Sequence, residues 1–216
     1  MIIIGVGGIA KSGKDTFAAM LKDALVESGV PEHLILNYNF AEPVKHIARY
    51  VFNMSDEDVN TQEGKKAISK NGYGLTNREI LQKVGTESFR DVFNHNIWVD
   101  VAERQIFNLF PANAIVIISD VRFNNEAEWI LTKGPLIKIE RPNMETIEQS
   151  AHASEQGFSA KPHLTITNDG SLDDLKAKAI LAANSIRVLH KNALTSFNNS
   201  MAAAVMSHFA HGQRTL

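Results

Sequence analysis

The chain has 216 residues, 44% of them hydrophobic and 21% charged, a balance that supports one globular domain with insertions and needs no crosslinks. It contains no Cys, which excludes disulfides and thiolate metal sites. A formal net charge of −2 gives no global attraction to a nucleic acid polymer or a membrane, so any anion-binding surface has to be local.

The opening "MIIIGVGG" has no positive region ahead of its short apolar run, so it does not read as a signal peptide. Ile2, Ile3, Ile4 and Val6 form a β-branched run without polar alternation, the pattern of a parallel strand buried on both faces. Similar runs follow at 34–40, 114–118, 136–139 and 164–167. Between them lie helical patterns at 16–28, 43–53, 78–109, 125–132 and 171–190; Phe17, Ala18, Leu21, Ala24 and Leu25 make one face of the first. Strands alternating with helices predict a doubly wound α/β domain with a five-stranded parallel sheet. Two intervals exceed ordinary connections, 41–112 and 141–162, and read as a helical insertion and a lid. Within the first, "NTQEGKKAISKNGYG" reads as a mobile loop. Residues 192–211 carry Leu194, Phe197, Met201, Val205 and Phe209 as an apolar stripe, suited to packing on the core or to a dimer contact. No apolar run reaches the roughly 18 residues that span a bilayer, and a cytoplasmic location is the expectation.

"GGIAKSGKDT" carries most of the chemistry. Gly8, four residues, then Gly13-Lys14 is most of a phosphate-binding loop, but Asp15 stands where Ser or Thr is usual. Gly5-Val6-Gly7-Gly8-Ile9-Ala10 also fits the dinucleotide pattern G-x-G-x-x-A. In that reading Gly13 falls inside the helix, where it costs about 1 kcal/mol relative to Ala. The apolar period starts at Phe17, which places the helix start near Lys14 and favours the phosphate loop. Backbone amides from Gly8 through Lys11, Ser12 and Gly13 then curl round a phosphate, aided by the helix N-terminus. Lys14 supplies full charge to the β- and γ-phosphates. Asp15 would face Mg²⁺ or simply suit the helix dipole, and Thr16 offers the missing hydroxyl.

Elsewhere, Ser119-Asp120 ends a strand and Arg122 follows: a metal-associated carboxylate with a phosphate-gripping arginine, or a helix cap with a surface cation. Phe40 and Lys45 lie in "FAEPVKHIA"; Lys45 falls in a first helical turn, where the dipole disfavours a cation unless an anion is near. Arg78, Arg90 and Trp98 read either as a wall for a phosphate-bearing substrate or as surface arginines and a core Trp. Arg141 is placed to swing over a transferring phosphate. His152 and Glu155 are three apart but lack a third ligand at suitable spacing, so no metal site is expected there. Asn168-Asp169-Gly170 is a turn at the sheet's carboxyl edge, where a base can rest; Ser171 with Asp174 reads as a capping box.

The ordered set "GKDT", "FAEPVK", "LQKVGTESFR…W", "SDVRFNNEAE", "ERP…HASE" and "ITNDGSLDDL" resembles the bacteriophage-type deoxynucleoside monophosphate kinases, of the phosphate-loop kinase group, over about residues 2–180. The resemblance implies a P-loop NTPase fold, ATP on the loop with Mg²⁺, and a deoxynucleoside monophosphate (dNMP) between the sheet and the insertion. It implies residues 1–190 as one kinase domain and 191–216 as a C-terminal helical extension, with the host cytoplasm as location if the protein is phage-encoded. By motif position Lys14, Asp15 and Thr16 would contact phosphate and Mg²⁺, with Asp120 as a further metal or catalytic carboxylate. Lys45, Arg90, Trp98 and Arg122 fall on the acceptor side, where Phe40 and Arg78 are also placed; Arg141 and Glu155 fall on the lid, and Asn168 near the nucleotide. Two other readings stay open: a kinase of a small alcohol with Asp120 as base, and a nucleotide-binding module without catalysis.

Overall fold

The computed structural model describes residues 1–142 and 152–212, with side chains described as far as residue 196. A five-stranded parallel sheet has the order β2-β3-β1-β4-β5, from β1 (Ile2–Gly7), β2 (Ile35–Tyr38), β3 (Ile115–Val121), β4 (Leu136–Glu140) and β5 (Leu164–Thr167). All five strands fall where the apolar runs predict them. β1 is central and buried throughout, which is why it reads as unbroken Ile and Val.

The period-two alternation of β1 divides the core. Ile2, Ile4 and Val6 face α1 (Lys14–Glu27) and α9 (Leu172–Gly212), meeting Phe17, Leu21, Leu25, Leu175 and Ala179. Ile3 faces the opposite layer, α6 (Ile97–Leu109) and α7 (Asn124–Lys133), with Ala102, Ile106, Ala127 and Ile130. Complete burial of a side chain such as Phe17 contributes about 1.5–3 kcal/mol. The helix α9 runs without interruption to Gly212, so the last core helix and the C-terminal segment are one element. Its start carries the anticipated box: Ser171 N donates to Asp174 Oδ2 at 2.8 Å and Asp174 N to Ser171 Oγ at 3.2 Å.

The 41–112 interval has its own small core. It holds α2 (Glu42–Phe52), α3 (Asp56–Asn60), α4 (Gln62–Lys66), α5 (Asn77–Gln82), a π-helical stretch Lys83–Arg90, and α6. Val44, Ala48, Val59, Ile80, Val84 and Trp98 pack together there. The polar patch expected to be a loop is instead partly helical. Buried Asn77 ties it down, donating to Asp58 Oδ1 at 3.0 Å and to Gly64 O at 2.8 Å. Capping boxes at Ser55/Asp58 and Thr76/Glu79 start α3 and α5. Of the 141–162 segment, residues 143–151 lie outside the described residues, and a short helix α8 (Ala153–Gln156) follows them. Among the described residues no helix is long and apolar enough to cross a membrane.

Candidate active site

The sheet topology sets the place of the site. The carboxyl ends of β1 and β3 lie side by side, so the turn after β1 and the Ser119–Arg122 segment share one edge. Gly8 (φ 156°) and Gly13 (φ 93°) both hold the left-handed region, and Lys11 joins them at φ 65°. A Cβ on Gly8 would come within 2.6 Å of Ile139 O, and one on Gly13 within 2.4 Å of Asn168 Nδ2. Only glycine fits either position. Asn168 donates to Ser12 O at 2.8 Å, so this residue, expected near the nucleotide, braces the loop from behind. Ser12 is fully buried and its hydroxyl has no partner. These features fit a cradle that an anionic tail completes.

Lys14, only 8% exposed, donates to Asp15 Oδ2 at 2.7 Å. Ser119 Oγ reaches the other oxygen of Asp15 at 3.2 Å, linking the loop to β3. Thr16 is exposed on the first turn of α1. Asp120 accepts from Phe40 N at 3.0 Å and Ala41 N at 2.9 Å, which fixes the entry into α2. Burial pushes its carboxyl up from the usual range, and the Ala41 and Phe40 amides oppose that.

A cavity of about 370 Å³ opens between this edge and the insertion, a size suited to a nucleotide-scale ligand. Lys11, Lys14, Asp15, Phe40 and Asp120 line it from the sheet side; Lys45, Arg78, Arg90 and Trp98 line it from the insertion; Arg122 and Glu155 complete it. Most of the residues expected to act together are thus brought together. Gly8, Ser12, Gly13, Thr16 and Asn168 shape the loop but lie outside that lining, and so does Arg141, which is exposed just past the end of β4. β4 lies between β1 and β5, while Arg122 follows β3 on the other side of β1. The structure therefore does not bring Arg141, expected over the transferring phosphate, into the cavity with Lys14 and Arg122.

The charges divide into two kinds. Arg90 and Glu126 are 5% and 2% exposed and meet at 2.5 Å. Arg90 also donates to His95 O at 2.9 Å and lies 4.0 Å from the Phe123 ring centroid. Glu126 uses its second oxygen to accept from Arg122 N at 2.8 Å and Phe123 N at 3.1 Å, closing the start of α7. Arg90, expected to touch substrate, lines the cavity and pairs with the Glu126 that holds the Arg122 backbone. Trp98, also expected at the substrate, donates to Gly85 O at 2.7 Å and stacks at 5.1 Å on Phe89 as part of the wall. By contrast, Glu155 Oε1 accepts from both Arg78 at 2.9 Å and Arg122 at 3.2 Å, one carboxylate bridging two forks across the cavity mouth.

The sequence reading missed Lys65 and Glu126. Lys65 lines the cavity from α4, where burial and the nearby charges of Lys45, Arg122, Arg78 and Lys14 push its ammonium down to about 8. Lys45 donates to Asn60 Oδ1 at 2.9 Å, and Lys65 reaches Asn60 O at 3.4 Å. Nothing local in "QEGKK" distinguishes Lys65 from Lys66; only the fold turns it inward. Glu126 had a usable signal, an acid three residues past the Phe123 that precedes a helix.

The deoxynucleotide monophosphate kinase family model matches residues 57–179, more than half of the chain. A protein of Acanthamoeba polyphaga mimivirus named as a deoxynucleotide monophosphate kinase is 35% identical over 83% of this chain and 95% of its own length. A deoxynucleoside-5'-monophosphate kinase of Escherichia phage T5 is 25% identical over 81% of this chain and 93% of its own. The crystal structure of shikimate kinase from Aquifex aeolicus aligns over 88% of this chain and 99% of its own at a TM-score of 0.48 and 15% identity. The chain belongs to the deoxynucleotide monophosphate kinase family.

Proposed function

We propose that the chain transfers the γ-phosphoryl group of ATP to the phosphate of a deoxynucleoside monophosphate, giving the diphosphate and ADP. The observation that carries this reading is the convergence of Lys14, Lys45, Lys65, Arg78 and Arg122 on one cavity beside a glycine-shaped anion cradle. A single phosphate group does not call for so many cations; two facing phosphates do.

The acceptor is a phosphate monoester with a second pKa near 6, so at pH 7 it is largely a dianion and needs no general base. What opposes reaction is repulsion between two anions. Loop amides and Lys14 take the ATP tail, with Lys14 exchanging Asp15 for phosphate oxygens. Lys45, Lys65, Arg78 and Arg122 hold the acceptor, and Arg122 is the side chain best placed to serve both. Phosphoryl transfer catalysed this way is positioning plus electrostatics. Asp15 and Thr16, exposed at the start of α1, would hold Mg²⁺, which would supply further charge neutralisation. Asp120, with both oxygens accepting amides, supports the β2–α2 junction rather than acting as the base an alcohol acceptor would require.

In this reading residues 1–190 form the kinase domain, 41–112 the acceptor insertion and 141–162 a lid that brings Arg141 over the transfer point. Exposed Leu181, Val188 and Leu189 on α9 support pairing of two copies through that helix, and light scattering of the full chain tests it. The relatives' viral origin supports action in a host cytoplasm. The deciding experiment offers ATP, Mg²⁺ and a panel of acceptors and follows ADP. Turnover of dNMPs is expected; turnover only with alcohol acceptors, or none at all, overturns the reading.

A further inference from the structure

We infer that Gln82 reads the base of the bound dNMP. The inference rests on the acceptor site proposed above and says which group within it chooses among bases.

Gln82 ends α5, at the junction with the π-helical stretch, and lines the cavity with Leu81, Gly85 and Thr86. Its Nε2 is buried without a hydrogen-bond partner among the described residues. Buried polar nitrogens are almost always paired, and an unpaired one at a cavity wall is accounted for when a ligand supplies the acceptor. Amide ends are interchangeable by a flip, so the side chain offers a donor and an acceptor side by side in either order.

The surroundings fit a base. Val44, Val59, Leu81 and Trp98, all on the cavity wall, belong to the insertion's own apolar core. The cations that depress Lys65 gather at the phosphate end: Lys45, Arg122, Arg78 and Lys14. A nucleotide has the same polarity, an anionic phosphate at one end and a flat ring with a hydrogen-bonding edge at the other. Gln82 is a neutral amide beside Leu81 on that wall; the insertion's other lining amides, Asn60 and Gln62, are taken by Lys45 and Arg78. Π-helical segments are rare and recur at functional sites, which accords with its place at the start of one.

Adenine and cytosine present an amino donor beside a ring-nitrogen acceptor; guanine and thymine present a carbonyl beside a ring N–H. A flipping amide meets both arrangements. A carboxylate accepts only, and guanine alone places two donors, N1–H and N2–H, next to each other.

The test uses the full chain with ATP, Mg²⁺ and dAMP, dGMP, dCMP and dTMP, measuring kcat and KM for each, with thermal unfolding as a control. Gln82→Leu is expected to raise KM about threefold to tenfold, unevenly across the bases, with kcat changed less. Gln82→Glu is expected to move kcat/KM toward dGMP by about tenfold relative to dTMP. If Gln82→Leu does not fold, the base ranking of Gln82→Glu decides. An active wild type whose base ranking is the same in the folded variants overturns the base contact alone. A wild type that phosphorylates no monophosphate overturns the acceptor reading and the base contact with it.

Discussion

Lys65 gives the kinase a pH dependence that its chemistry alone would not. In the free protein, burial and then the charges of Lys45, Arg122, Arg78 and Lys14 bring its pKa down to about 8. It therefore holds its proton near pH 7 and is about 90% neutral one unit above its pKa. The acceptor gains its second charge near pH 6. Thus kcat/KM for the dNMP should rise through about 6, level off, and fall about tenfold for each unit above about 8. The fall stops when the whole contact is lost, at about 10–150-fold for a charged hydrogen bond of about 1.5–3 kcal/mol. Bound phosphate holds the proton on Lys65, so kcat at saturating dNMP should change little over the same range. Lys65→Arg keeps its charge throughout and should remove the alkaline limb; Lys65→Met should be weak and flat above pH 7. Steady-state ADP release from pH 5.5 to 9.5 at saturating Mg²⁺ and ATP measures all three. The unfolded chain keeps the proton up to about 10.4, so between about 8 and that value it binds more protons than the folded one, and stability rises with pH there. A wild-type kcat/KM flat from pH 7.5 to 9.5, or an alkaline limb that survives in Lys65→Arg, would refute the assignment of Lys65 to the acceptor.

Three other outcomes follow from the same geometry. Lys14→Ala should lower kcat at least about a hundredfold with its unfolding temperature retained, since it removes full charge from the transferred group; full activity in this variant would show that the loop is misassigned. Glu126→Gln leaves the buried Arg90 guanidinium without its counter-ion and should cost about 3–5 kcal/mol, on the order of 10 °C in Tm by calorimetry; a loss below 1 kcal/mol would mean that the pair is not structural. Glu155→Gln removes the carboxylate that competes for Arg78 and Arg122, so KM for the dNMP should fall severalfold; a rise in KM would place Glu155 among the groups that bind substrate.

Strands, the phosphate loop and the order of the motifs were legible because each has a local cause. The buried Ile and Val runs could only be core, and the helix period beginning at Phe17 put the helix start beside Lys14. Position in sequence did not reveal which cations are committed. Arg90 and Arg78 both read as wall arginines and both line the cavity, yet one is paired with buried Glu126 and the other with Glu155 of α8. That difference arises from α7, which contributes Glu126 to one of them from 36 residues away. Lys65 was invisible for a related reason: its segment looks like a loop until Asn77, from the next helix, pulls α3 and α4 together. The π-helical stretch likewise leaves no pattern in "KVGTESFR", because its register is fixed by contacts such as that of Trp98 with Gly85 O.

The resting site solves a problem set by its own charge. Several cations gathered on one cavity repel one another; at Lys65 burial lowers the ammonium first, and Lys45, Arg122, Arg78 and Lys14 lower it further. Acidic partners offset this, and their exposure separates those that stay from those that leave. The side chain of Glu126 is 3% exposed and carries a backbone junction as well as Arg90, so opening that pair would unmake the start of α7. The Asp15 side chain is 72% exposed, and Lys14 can trade it for a phosphate without stranding a buried charge. Glu155 is only 11% exposed but sits in a four-residue helix ending at Gly157, whose φ of 76° marks a turn a glycine can make freely. Its carboxylate lies between Arg78 and Arg122, the place the proposed mechanism gives to the acceptor phosphate. In the proposed mechanism acceptor entry therefore displaces Glu155, and α8 with it. The two arginines are then released to the phosphate only when a phosphate is there to take them, so the resting pairs keep the cations compensated until the acceptor arrives.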